Sequence, residues 1–72
     1  MTPSQCRAAR RLLDMPRDEL AAAVDISALK LVAFEIGMLA LKGSERERLR
    51  GVFELAGVDL EDDVGVKLKA RR

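Results

Sequence analysis

The chain has 72 residues, with thirteen Lys or Arg against twelve Asp or Glu and a net charge of +1. That length makes one domain with a small core rather than two, and the near balance of charge argues against a dedicated nucleic-acid binder, which carries a clear basic excess. A single cysteine, Cys6, excludes an internal disulfide, the absence of histidine leaves a zinc site little but carboxylates, and the longest apolar run, 31–34, is far too short to span a membrane.

Helix 1 starts at Thr2-Pro3-Ser4-Gln5, a capping box with Thr2 as cap, Pro3 at the first helical position and Gln5 reaching back. Cys6, Ala9 and Leu13 follow at helical spacing with Leu12 beside them, and Pro16 disfavours helix at Met15. Cys6 reads as a small buried hydrophobe of this helix. A free thiol and the lack of a signal-like segment point to a reducing cytoplasm.

The second helix is expected from about Pro16 or Arg17 to Val24, with Asp18 and Glu19 in a first turn where the helix dipole favours them. Leu20, Ala21 and Val24 form its inward stripe. Asp25-Ile26 is a tight connection, Ser27 caps helix 3, and that helix runs to about Ile36 before Gly37 stops it. An apolar link, 38–43, leads to a second capping box at Ser44-Glu45-Arg46-Glu47, which opens helix 4. Leu49, Val52, Phe53 and Ala56 face inward, and Gly57 ends the helix.

After Gly57 the period changes. Val58-Asp59-Leu60 and Val66-Lys67-Leu68 alternate apolar with polar, which predicts a short β-hairpin that must pack on the helices or pair with another copy. The reading is therefore mainly α: a helical domain over 1–57, a hairpin over 58–68 and a basic tail over 69–72.

Two short helices joined by a few residues, the second capped by a small polar side chain, suggest a helix-turn-helix. Further, Arg7-Ala8-Ala9-Arg10-Arg11-Leu12-Leu13, Asp18-Glu19-Leu20-Ala21, Ile26-Ser27 and Phe34-Glu35-Ile36-Gly37, in that order and spacing, resemble the phage-repressor-like (Cro/CI, XRE) family. The resemblance covers nearly the whole chain. It implies that helix 3 enters the DNA major groove, and that helices 1 and 3 are joined by a structural ion pair, here Arg10 and Glu35.

The chain departs from that pattern where sequence would be read. Family members carry polar, often basic residues along the exposed side of helix 3, because those groups reach base edges and phosphates. Here Leu31 and Phe34 take inward positions and the outward ones are Ala28, Leu29, Lys30, Val32, Ala33 and Ile36. Among these only Lys30 has a side-chain donor, and one lysine cannot make bidentate base contacts. Helix 2 opens with Pro16 and Arg17 where the family places a Ser or Thr cap and a Gln, both of which help grip a phosphate. Leu29, Val32, Ala33, Ile36, Leu39 and Leu41 would together form one apolar patch, the kind of surface that marks a binding face.

Two functional readings follow, with a third in reserve. In the first, the chain is a small transcription-regulatory protein that binds another protein, a transcriptional activator, through the apolar helix 3. Antiactivators that silence quorum-sensing or mobile-element activators are of this kind. In the second it is a DNA-binding repressor, with Arg17, Ser27, Lys30 and the basic tail on phosphates and Ala28 and Leu29 against thymine methyls. In the third the patch closes a homodimer. No cofactor is expected. An enzyme is not indicated either: there is no His, Tyr or Trp, no glycine-rich phosphate loop and no nucleophile beside a base.

Overall fold

Each helix ends where the backbone turns left-handed, and all but α2, which Pro16 precedes without a side-chain cap, begin with a side chain bonded to a backbone N–H at the cap. The structure, a computed structural model, describes residues 1–61 and 65–68, with side chains as far as Leu60. Its elements in chain order are α1 (Pro3–Leu12), α2 (Arg17–Val24), α3 (Ala28–Glu35), α4 (Gly43–Leu55), β1 (Val58–Glu61) and β2 (Gly65–Leu68). The fold is mainly helical, as the sequence predicts. The basic tail, the hairpin's tip and the side chain of Lys67 lie outside the described residues.

At α1 both halves of the capping box form: the Gln5 N–H donates to Thr2 Oγ1 at 3.1 Å, and the Thr2 N–H donates to Gln5 Oε1 at 3.0 Å. At α3 the Ser27 hydroxyl accepts from the Lys30 N–H at 3.0 Å. The start of α4 differs from expectation. Lys42, not Ser44, is the cap residue, and the Lys42 N–H donates to Glu45 Oε1 at 2.9 Å. The side chain of Glu45 reaches back as in a capping box, but two residues earlier than the Ser44-Glu47 pairing would place it.

Three helices end in the same motif. After α1, α2 and α3 the left-handed position is taken by Asp14 (φ 53°), Asp25 (φ 64°) and Gly37 (φ 82°). In each case the next residue donates back five positions: Met15 to the Arg10 carbonyl, Ile26 to Ala21 and Met38 to Ala33. This is the Schellman closure, which satisfies carbonyls left over at a helix end. Aspartate tolerates the left-handed region better than most side chains, so α1 and α2 end without glycine.

The core gathers Cys6 and Ala9 from α1, Leu20, Ala21 and Val24 from α2, Leu31 and Phe34 from α3, Leu49 and Phe53 from α4, and Val58 and Leu60 from β1. The inward residues read from periodicity are these, with Leu13 and Val52 packed partly buried against them and one correction. Ala56, expected inward, lies just past the last helical residue and is exposed, and Leu12, read as lying beside the stripe, is exposed as well. β1 and β2 pair antiparallel with Val58 opposite Leu68 and Leu60 opposite Val66. The hairpin packs against α1 and α4, which supplies the support that two isolated strands lack.

Candidate functional site

α3 is only eight residues long, so its two sides are easily separated. Leu31, Phe34 and Glu35 point into the molecule. Leu29 is 79% exposed, and Ile36, the residue at the C-terminal cap of α3 two turns further along, is 57% exposed. Val32 and Ala33, between them, are half-buried. The stripe thus recurs at i, i+3/i+4 and i+7 on one face. Exposed apolar residues follow it in sequence into the link, where Met38 is 79% and Leu39 40% exposed.

One predicted member of the patch is corrected. Leu41 is only 3% exposed and belongs to the core. It immediately precedes the cap residue of α4, a position from which apolar side chains commonly turn inward to fix the entry of the chain into the helix. Met38, which sequence reasoning left out, takes a place on the face instead. Its position after the left-handed Gly37 was the available signal, but the motif alone pointed inward. The corresponding residues after α1 and α2, Met15 and Ile26, pack against the core, as such residues often do.

Beside Met38 and Leu39 opens a cavity of about 370 Å³, whose lining includes Phe34, Leu41 and Arg46. Arg46 Nη1 donates to the Leu41 carbonyl at 2.8 Å, which holds the guanidinium at the edge of the link. A second hollow, about 270 Å³, lies away from this face against Arg10, Arg11 and Pro16. Among the described residues no cluster of His, Cys, Asp and Glu can hold a metal ion.

The polar groups near α3 are engaged inside the molecule. Glu35 is fully buried and accepts from Arg10 Nε at 2.9 Å (Oε2) and from Arg10 Nη2 at 3.2 Å (Oε1). The ion pair that the family resemblance implies is therefore formed. Two further partners were not foreseen: Arg17 Nε donates to Glu35 Oε1 at 2.9 Å, and the Cys6 thiol donates to Oε2 at 3.3 Å. Arg7 Nη1 donates to the Glu35 carbonyl. Burial alone would raise the Glu35 carboxyl, but the hydrogen bonds from Arg10, Arg17 and Cys6 outweigh it and hold the group below the ordinary carboxylate range. Cys6 moves the other way: burial, then the neighbouring Glu35 charge and hydrogen bond, push its thiol far up.

Of the residues proposed for phosphate or base contacts, Ala28 is exposed and Ser27 caps α3. Lys30 Nζ is bound to Glu45 Oε2 at 2.7 Å, and that bond, followed by the Lys42 N–H, keeps the Glu45 carboxyl low. Arg17, half-exposed, is turned to Glu35. The sequence gives no direct sign of these two pairings, since each joins side chains that meet only after the helices pack. No family model matches the chain, and no curated protein matches it.

Proposed function

We propose that the chain is a small transcription-regulatory protein of phage-repressor-like, helix-turn-helix descent that binds another protein, a transcriptional activator, in the manner of an antiactivator. It acts in the reducing cytoplasm, where Cys6 stays a thiol. The observation that carries this reading is the outward side of α3 and its link. Leu29, Ile36, Met38 and Leu39 are exposed there, while the neighbouring cations Arg17 and Lys30 are paired with Glu35 and Glu45. A reader of DNA needs donors on that side; a helix face that grips a protein needs apolar anchors. Covering the four apolar side chains, at about 25 cal/mol per Å², is worth several kcal/mol before the cost of association is met.

The test uses the tagged chain as bait in its native host, beside Leu29→Glu and Ile36→Glu. Both substitutions sit at exposed positions and should change stability by no more than about 0.5 kcal/mol. The wild-type chain should retain a protein that both variants lose, and that protein should drive a reporter promoter which co-expression of the wild-type chain silences. Equal silencing by wild type and both variants would overturn the reading. So would binding to mixed duplex DNA that weakens steeply with salt and is unaccompanied by any captured activator.

A further inference from the structure

The apolar face ends in a charged corner, and the sign of that corner restricts what can cover it. Arg46 is the one charged side chain among the residues lining the cavity beside Met38 and Leu39. Lys42, which caps α4 and directly follows the cavity-lining Leu41 in sequence, is exposed. Among the described residues no carboxylate forms an ion pair with either. The two carboxylates on the inner side of this region are already taken: Glu35 by Arg10 and Arg17, Glu45 by Lys30. Glu47, also exposed, follows Arg46 and so stands about 100° further round α4, toward the side away from the core. The link therefore presents an apolar surface bordered by two cations that form no ion pair among the described residues, Arg46 being bonded only to the neutral Leu41 carbonyl there.

The shape restricts the occupant too. Leu29, the half-buried Val32 and Ala33, and Ile36 form a straight stripe about two helical turns long, which a partner stripe at i, i+3/i+4 and i+7 can lie along. At about 370 Å³ the cavity is near the lower end of the roughly 300–1,000 Å³ of small-molecule sites. It is also open at the surface, so it suits a side chain or two rather than an enclosed ligand. Met38 marks the same place independently. It occupies the position that Met15 and Ile26 occupy after α1 and α2, yet those two are packed and Met38 is not.

We infer that the occupant of this face is an amphipathic helix of the partner protein with an acidic flank. Its apolar stripe lies along Leu29, Ile36 and Leu39, it lodges a side chain beside Met38, and its carboxylates meet Arg46 and Lys42. The inference rests on the protein-binding reading above and adds the chemistry of the partner.

The test measures fluorescence anisotropy of the full chain with two labelled peptides of about 18 residues, long enough to hold helix. They share one leucine stripe at i, i+3, i+4 and i+7 and differ only in carrying Glu or Lys on the flanks. The Glu peptide should bind at least about fivefold tighter than the Lys peptide, since attraction replaces repulsion at two partly exposed sites. Arg46→Gln, which keeps a donor for the Leu41 carbonyl, should shrink the preference, and Lys42→Glu with Arg46→Glu should reverse it. Ile36→Glu should remove binding of both peptides.

Equal binding of the two peptides, or a preference untouched by the Arg46 and Lys42 variants, overturns the acidic flank. If Ile36→Glu still abolishes binding in that case, the apolar-face reading stands without it. Binding that survives both Leu29→Glu and Ile36→Glu overturns the face itself. Failure of the Glu peptide to bind, or its displacement by mixed duplex DNA, overturns the helical occupant.

Discussion

Replacing Glu35 by Gln keeps the shape of the side chain and removes one negative charge from the centre of the molecule. The carboxylate accepts two bonds from Arg10, one from Arg17 and one from the Cys6 thiol. An amide offers a single acceptor oxygen and turns two donors toward a crowd of donors. The loss falls mainly on Arg10, whose side chain is only 14% exposed; its other partner is the Met15 carbonyl at 3.3 Å, which carries no full charge. Arg17 is half-exposed, and water screens most of what it loses. Breaking a buried pair from one side typically costs about 3–5 kcal/mol, and Arg10 approaches that limit. A chain of 72 residues holds only about 4–11 kcal/mol in total, at roughly 0.05–0.15 kcal/mol per residue. Glu35→Gln should therefore remove a large share of the stability and lower the thermal midpoint by about 12 °C or more.

Urea and thermal unfolding followed by far-UV circular dichroism give the loss directly, and pH gives an independent check. The folded carboxyl lies below its unfolded value of about 4.3. The unfolded chain therefore binds more protons in that range. Stability from this group is complete above the unfolded value and is lost as pH falls through the folded one. Glu35→Gln should flatten that acid limb. Replacing the pair together, Arg10→Met with Glu35→Leu, removes both buried charges and should recover at least half of the loss. A Glu35→Gln penalty under about 1 kcal/mol, the value of a solvated surface pair, together with an unchanged acid limb, would refute the claim that the pair is desolvated.

Two further outcomes follow from the core. The Cys6 thiol, buried and pushed up by burial and by Glu35, should resist iodoacetamide in the folded chain and react once urea unfolds it; prompt labelling under native conditions contradicts the packing of α1. Phe53 has no exposed surface, and Phe53→Ala should cost about 3–5 kcal/mol in urea unfolding, with a loss under about 1 kcal/mol showing that α4 is not packed as described.

The helices were legible because their ends are written locally. Thr2 with Gln5 and Ser27 with the Lys30 N–H need only three or four consecutive residues. The one boundary misread, at α4, had two overlapping solutions. Ser44-Glu47 and Lys42-Glu45 both place a glutamate three residues after a cap, and serine is the better cap by itself. Glu45 is chosen because it also meets Lys30 across the molecule, and no local rule contains that contact. The inward turn of Leu41 was invisible for a related reason: a link without periodicity does not reveal which way its side chains face.

The site divides along the same line. Leu29 and Ile36 could be placed outside by elimination, since an eight-residue helix that buries Leu31, Phe34 and Glu35 has little room left inside. The charges could not. Arg17 stands at the first turn of α2, where a phosphate contact is the natural local guess, and only the approach of α3 turns its Nε to Glu35. Lys30 is drawn to Glu45 by the same kind of distant meeting. These two pairings bear on function as well as stability. They neutralise the cations nearest the outward side of α3, while Arg46 and Lys42, which form no ion pair among the described residues, stand at the far end of the link. Under the protein-binding proposal, a charge pattern that withdraws positive groups from the outward side of α3 and keeps them beside exposed methionine and leucine suits a protein surface with carboxylates better than a phosphate backbone, because a phosphate track would call for them along the whole helix.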